Sequence, residues 1–270
     1  MPGVVITTGA VSGPSAPGRA PASTYFVIGQ AERGPVGTPV RVSSFGDFMR
    51  IFGGSTSYST LYDQLRAFFE EGGARAYVVR VVGTAATVGA LSTPLQDRAA
   101  SPAPTMSVAA SSPGAWSSRV SVLVLNGPSA DTFRIQVLLD GAVVEDYANL
   151  RSPAEAISRI NDSTVASAYV RLTSSGSASV APTNNPAATP APLTLTPGDD
   201  KRASIVTATY TAALDLFGDG LGNGAVAIPG IGSAVHAALI KHADEFNRVA
   251  LLAAERGTDA STLLAQAASL

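Results

Sequence analysis

The chain has 270 residues, only 14% of them charged, and a formal net charge of -2. Because Lys and Arg are neither in excess nor arranged in runs, the chain has no basic excess to neutralise phosphates, and we expect no direct nucleic-acid contact. The absence of cysteine excludes disulfides and cysteine-based sites. The chain also lacks an 18-residue apolar run and a signal-peptide pattern, so we expect neither membrane insertion nor export.

The first 22 residues are rich in proline and glycine around one apolar run, Val4-Val5-Ile6. Such a segment cannot bury enough apolar surface to fold alone. We therefore expect residues 1–22 to form an extended N-terminal arm.

Residues 23–90 carry the pattern of an α/β unit. Ser44, followed by Asp47 three positions later, is typical of a helix start, and aromatic residues at helical spacing follow it up to Gly53-Gly54. A second apolar stripe ends at Gly72-Gly73. The predicted elements are a buried strand at Tyr25–Ile28, an extended piece at Val40–Val42, helices over 45–52 and 61–69, and a strand at Ala76–Val82.

Residues 105–181 predict a mainly β domain, inserted between a linker at 91–104 and a Pro-rich linker at 182–197. Asp140-Gly141 between two apolar runs predicts a hairpin, and Ser152-Pro153 predicts a short helix that ends near Ile160. The predicted strands are Met106–Ala109, Val120–Leu125, Phe133–Leu139, Val143–Tyr147, Tyr169–Leu172 and Ser179–Val180.

Residues 198–270 predict a parallel β-α-β unit, with strands at 225–228 and 249–253 and helices at 205–217 and 234–246. A further helix begins at Thr258-Asp259 and runs to Leu270. We expect this segment to pack against residues 23–90. The predicted fold class is an α/β body with a mixed sheet, an inserted mainly β domain and an extended N-terminal arm, with the core domain incomplete at Leu270.

Several residue clusters are candidates for chemistry. A degenerate hydrolase would use Ser233 and His236, but Ser233 is one place late for a nucleophile elbow, and we expect it to cap the following helix instead. His236 and His242 are six residues apart, so they do not share the face that a zinc-protease helix requires. We expect His242 to be a packed or interface histidine and predict neither a metal nor an enzyme.

The remaining polar motifs have simpler interpretations. Gly218–Gly224 follows a helix and precedes a strand, the reverse of a dinucleotide loop, and Asp215, Asp219 and Asn223 lack calcium-loop spacing. We expect this segment to be a solvated, flexible turn. Asp199-Asp200 beside Lys201-Arg202 indicates a helix start with dispersed charge, and the single Trp116 indicates a core residue.

Five strings in register resemble the contractile tail sheath proteins of bacteriophages and related injection machines. They are PGVVI at 2–6, AERGPVGTPVRVSSFGDFMRIFGG at 31–54, FFEEGGARAYVVRVV at 68–82, SPGAWSSRVSV at 112–122 and AVAIPGIGSAVHAALIKHADEFNRVALL at 225–252.

The resemblance implies a structural, cofactor-free subunit that polymerises with its own copies around an inner tube protein and contracts to drive the tube through a cell envelope. Baseplate and tail terminator proteins are implied partners, and the implied location is a phage tail that is assembled in the host cytoplasm. Family members continue further, so the chain resembles their N-terminal portion. A non-enzymatic baseplate or adhesion module is the alternative.

The arm has a role in this picture. An extended apolar segment can add as a strand to the exposed sheet edge of a neighbour. We expect the inter-subunit strand donor to be Gly3, Val4, Val5, Ile6, Thr7 and Thr8.

Overall fold

The computed structural model describes residues 24–162, 164–254 and 257–268. The strands are β1 (Thr24–Gly29), β2 (Val40–Val42), β3 (Arg75–Arg80), β4 (Leu95–Gln96), β5 (Pro104–Ala110), β6 (Val120–Asn126), β7 (Phe133–Leu139), β8 (Ala142–Leu150), β9 (Val170–Ser174), β10 (Leu193–Thr194), β11 (Ala225–Ala227) and β12 (Val249–Leu251). The α-helices are α1 (Phe45–Phe52), α2 (Leu61–Glu70), α3 (Pro153–Ile160), α4 (Thr207–Leu214), α5 (His236–Glu245) and α6 (Ala260–Ala268).

A five-stranded mixed sheet forms the centre of what we call the α/β body, in the order β12-β11-β1-β3-β2. β1 pairs in parallel with both β3 and β11, β11 pairs in parallel with β12, and β2 is antiparallel to β3. The predicted mixed sheet and its parallel β-α-β unit are therefore present. The pairing of β1 with β11 confirms that the two ends of the described chain pack together.

The central strand β1 is buried along its whole length, because helices cover both faces of the sheet. Phe26 and Ile28 point to the face covered by α4 and α5, whereas Tyr25 and Val27 point to the face covered by α1 and α2. This alternation follows from the two-residue period of a strand. It places α1 and α5 on opposite sides of the sheet.

The structure tests the serine caps that the sequence predicts at the starts of helices. Ser44 accepts a hydrogen bond from the Asp47 amide, and Ser152 accepts one from the Glu155 amide, so both predicted caps are confirmed. The prediction that Ser233 is a cap is wrong. Ser233 lies exposed inside a 3-10 helix, Gly232–Val235, and α5 begins after it with no side-chain cap.

Two antiparallel sheets form what we call the β unit, which lies between β3 and α4 in the chain. Their strand orders are β10-β6-β7-β8 and β4-β5-β9. The hairpin between β7 and β8 turns through Asp140 and Gly141, both with positive φ, as the Asp-Gly signal predicts. Trp116 is buried in the core of this unit, as expected.

The segments predicted as linkers contribute to these sheets. Residues 91–104 contain β4, and residues 182–197 contain β10, which pairs with β6. The side chain of Asn185 is completely buried. The predicted strand at Ser179–Val180 is absent, and Val180 is 78% exposed, because its segment crosses the surface before β10.

The chain leaves the α/β body after β3 and returns beside its own outgoing path. The Gly83 amide donates to the Asp200 carbonyl at 2.8 Å, and Thr87 and Asp199 exchange two backbone hydrogen bonds. A Cβ atom on Gly83 would lie 1.9 Å from the Lys201 carbonyl oxygen, so only glycine allows this close approach.

Arg80 is the centre of the junction between the α/β body and the β unit, and its side chain is fully buried. Its guanidinium donates to the carboxylate of Asp200 at 2.7 Å and to the carbonyl oxygens of Ala31, Gly34 and Pro113 at 3.0–3.1 Å. One side chain therefore joins the loop after β1, the entrance to the β unit and the returning chain.

Asp200 is the partner that the sequence pattern misassigned. It is 6% exposed and also accepts from Arg202 at 3.1 Å, so its charge is not dispersed at a helix start. Burial raises the pKa of Asp200 and lowers that of Arg80, while their mutual attraction opposes both shifts. Breaking such a pair leaves one charge buried with too few partners.

A second arginine reinforces the junction. Arg33 is 6% exposed, and its guanidinium lies 4.7 Å from the ring centroid of Tyr169 and 5.9 Å from that of Trp116, both in the β unit. The same group donates to the Met49 and Arg50 carbonyls at the end of α1. It thereby satisfies helix-end acceptors of the body while it packs on aromatic rings of the β unit.

We expect Arg80→Met to destabilise the protein by roughly 3 kcal/mol or more, because it removes the main partner of a buried carboxylate. Urea unfolding followed by circular dichroism measures this loss. Arg66→Met is the matched control, since Arg66 pairs with Glu70 on the exposed surface of α2. A loss for Arg80→Met no larger than that of the control would contradict the assignment.

Candidate interaction surfaces

The residues proposed for hydrolysis do not form a catalytic pair. The Nε2 atom of His236 lies 2.9 Å from the carbonyl oxygen of Ala253, and the ring is buried. Ser233 is exposed on the neighbouring 3-10 helix. A serine nucleophile needs a base within hydrogen-bond reach, and the base candidate is held by a backbone carbonyl instead.

His242 is packed, as predicted, and its partner is Arg248. The histidine ring is 4.7 Å from the ring of Phe246, and its Nε2 atom lies 2.8 Å from Nη1 of Arg248. Because the guanidinium of Arg248 can only donate, Nε2 of His242 must accept this hydrogen bond, and only the neutral ring has a nitrogen that accepts. Burial and the charge of Arg248 lower the pKa of His242.

Arg248 also organises the glycine-rich turn at 218–224. It donates to the carbonyl oxygens of Phe217, Gly218 and Gly222 at 2.5–3.1 Å. The turn is solvated as expected at Asp219, Gly220 and Asn223, which are exposed, whereas these three backbone carbonyls accept from a buried guanidinium. These contacts orient the carbonyls toward a protein cation and leave no phosphate cradle of the dinucleotide type.

The acidic residues near this turn do not form a metal centre. Asp215 and Asp219 are exposed. Across the part of the chain that the structure describes, no group of three or more His, Asp and Glu residues is arranged to hold a metal ion.

The free edge of the mixed sheet is the most evident interaction surface. β12 is its terminal strand, with Val249 63% exposed and Leu251 46% exposed. α6 follows it and presents Leu264 at 72% exposure. An edge strand with exposed apolar side chains and free backbone groups is suited to pairing with another segment.

A shallow groove of about 490 Å³ lies where β1 begins. The rings of Tyr25 and Phe68 lie in its wall, tilted by 34° with centroids 5.1 Å apart, and Leu251 of β12 also lines it. Thr24, the first described residue, is part of the rim. Thr24 begins the central strand β1, and β11 lies between β1 and the edge strand β12. The donor residues Gly3 to Thr8 lie outside the described residues.

The helices give no sign of a bilayer-spanning segment. In the described ranges, none combines the length and the apolar character that crossing a membrane requires.

We expect acidification to destabilise the fold through His242. The pKa of His242 in the folded state is below the ordinary value of 6.5, so the unfolded chain binds the proton more readily as the pH falls. This contribution to the stability of the fold is therefore fully present above pH 6.5 and is lost as the pH falls through the folded-state pKa. Urea unfolding between about pH 7 and about pH 5 measures the decline. His242→Gln, which keeps an acceptor for Arg248, should flatten it; an unchanged slope would contradict this role.

Comparisons with known proteins identify solved structures with a similar fold. No protein-family model matches the sequence, and no curated protein matches it. Among solved structures, the fold is similar to the sheath tail protein Lin1278 from Listeria innocua, with a TM-score of 0.57 and 16% identity over 82% of this chain and 43% of that one.

The sheath tail protein DSY3957 from Desulfitobacterium hafniense is also similar, with a TM-score of 0.52 and 19% identity over 91% of this chain and 50% of that one. The chain thus spans about half the length of each sheath protein or less. The resemblance to tail sheath proteins is confirmed at the level of the fold for the described residues, which exclude the string at 2–6. The fold of the described chain is similar to part of these two sheath tail proteins.

Proposed function

We propose that this chain is a structural subunit of a contractile tail sheath. Copies polymerise around an inner tube and then shorten as an assembly, which drives the tube through a cell envelope. The observation that carries the proposal is the fold shared with two sheath tail proteins over 82% and 91% of the chain. The contact of His236 with a backbone carbonyl and the exposed position of Ser233 support a structural role over an enzymatic one.

The proposal includes partners and a location. Besides other copies of the chain, the partners are the inner tail tube protein, the baseplate and the tail terminator. The subunit belongs to a phage tail that is assembled in the host cytoplasm. A non-enzymatic baseplate or adhesion module is the second candidate, since a β unit on an α/β body also suits such a role.

The proposed division of the chain follows the sequence pattern, and its two linkers each contribute one short strand, β4 and β10, to the sheets of the β unit. The described cores support a β unit separate from the body, because its buried side chains form their own cluster. The proposed parts are an arm at 1–22, an α/β unit at 23–90, a linker at 91–104, an inserted β domain at 105–181, a Pro-rich linker at 182–197 and the start of the core domain at 198–270.

Cohesion between subunits is assigned to the arm. Residues 3–8 act as the strand donor, and 15 residues separate Thr8 from Thr24. At about 3.3 Å per extended residue, that spacer spans roughly 50 Å, enough to reach an adjacent subunit. Main-chain hydrogen bonds made by such a strand would hold neighbours together while the bodies move.

The test compares the unmodified protein with a deletion of residues 3–8 by electron microscopy and sedimentation velocity. We expect long hollow cylinders from the unmodified protein and folded monomers from the deletion variant, because the donor strand is lost. Deleting residues 13–18, an equal length without the apolar run, is the control and should still assemble. Discrete rings or monomers from the unmodified protein would favour the alternative module, and normal cylinders without residues 3–8 would refute the donor role.

A further inference from the structure

A cleft of about 360 Å³ lies between the α/β body and the β unit. The loop after β1 and helix α1 form one wall, and the segment from Thr164 to Arg171 forms the other. Among the described residues that line it, the charged ones are Arg50 and Arg171, and Ser111 and Ser167 add hydroxyl groups. The cleft is therefore positively charged, although the chain as a whole is slightly acidic.

Arg171 carries a half-buried charge that interacts with Glu145 through space but makes no direct ion pair in the described ranges. Its Nη1 atom donates to the carbonyl oxygens of Ser167 and Val170, at 2.5 and 2.8 Å, and it forms no salt bridge with any residue in the described ranges. Burial lowers its pKa, and the charge of Glu145 opposes that shift. A second carboxylate that enters the cleft and accepts hydrogen bonds from the guanidinium would stabilise the charge further.

Glu145 is the acidic residue near Arg171, and its oxygens are already occupied. Its carboxylate accepts from the Ser167 hydroxyl at 2.6 Å, from the Ala168 amide at 2.9 Å and from the Tyr147 hydroxyl at 3.0 Å. These bonds hold Glu145 in the wall of the β unit. None of these bonds comes from Arg171, so its guanidinium can still donate hydrogen bonds to a carboxylate from outside.

Arg50 is similarly available. It is at the exposed end of α1, and its nearest carboxylate oxygen, on Asp47, is 3.7 Å away, beyond hydrogen-bond distance. An exposed ion pair at that separation contributes little. Arg50 can therefore turn toward a carboxylate in the cleft without losing a strong contact.

The opposite face of the sheet carries the complementary charge. Four acidic residues are exposed near the ends of α4 and α5, with no salt bridge in the described part of the chain and a single lysine, Lys241, on the same helix. We call them the acidic patch: Asp215, Asp219, Asp244 and Glu245.

The carboxylates of the acidic patch cannot reach the cleft of the same molecule. Helices α4 and α5 cover one face of the sheet, whereas α1, which carries Arg50, covers the other. Complementary surfaces on opposite faces produce a head-to-tail contact. Contacts of that kind build rings or helical filaments when they repeat.

We propose that the cleft around Arg50 and Arg171 is a docking site for carboxylates of the acidic patch of a second copy. The inference rests on the proposed function insofar as copies of the chain assemble. Its role is to set the orientation and register of neighbours, since charge complementarity steers encounter and disfavours misaligned contacts.

The test uses charge reversal at exposed positions, so that folding is retained. The variants are Arg50→Glu, the patch variant Asp219→Lys with Glu245→Lys, and all three substitutions combined. Arg151→Glu is the control, because Arg151 is exposed and lies outside the cleft. Sedimentation velocity at several protein concentrations measures the concentration of half-assembly, and circular dichroism verifies that each variant is folded.

We expect Arg50→Glu and the patch variant each to raise the half-assembly concentration by about tenfold or more, because each places like charges opposite one another. The combined variant restores opposite charges and should recover most of the loss, while Arg151→Glu should behave as the unmodified protein does. Assembly of Arg50→Glu equal to that of Arg151→Glu, or no recovery in the combined variant, would overturn the inference and leave the proposed function standing. If the unmodified protein never assembles, the proposed function fails and the inference fails with it.

Discussion

A fully buried guanidinium needs acceptors from the protein itself, and Arg80 obtains them from three separate parts of the chain. Asp200 supplies the opposing charge, and carbonyl groups from the loop after β1 and from Pro113 supply the rest. Because the acceptors have fixed positions on separate segments, the Arg80 side chain holds the outgoing and returning segments together. The location of the β unit on the α/β body follows from this constraint.

The same junction gives the proposed assembly its mechanical basis. Subunits that slide past one another must keep their own shape, or the motion would be absorbed inside each subunit. Arg33, held between α1 and the rings of Trp116 and Tyr169, adds a second contact across the junction. The basic cleft is built from both sides of it, so its shape also depends on the junction remaining fixed.

Local signals in the sequence were sufficient for the elements, and they failed for contacts between distant residues. The cap at Ser44 and the turn at Asp140-Gly141 depend on neighbours within four residues, and both were predicted correctly. Arg80 and Asp200 are 120 residues apart, so no periodic pattern joins them. The available clue was a charged residue at the end of a buried strand, where an unpaired charge is rare.

The predicted cap at Ser233 was wrong for another reason. The chain forms a 3-10 turn before α5, and Val235 takes the capping position.

The rigidity of the junction can be measured directly, because the chain has no cysteine and accepts spin labels at chosen positions. Labels at exposed Gln64 on α2 and Val143 on β8 report the distance between the body and the β unit, and labels at Thr173 and Val143 report a distance within the β unit. Pulsed electron paramagnetic resonance should give a single distance for the first pair, as narrow as that for the second. A broad or multiple distribution for the first pair alone would show that the β unit moves on the body and would contradict the role assigned to Arg80.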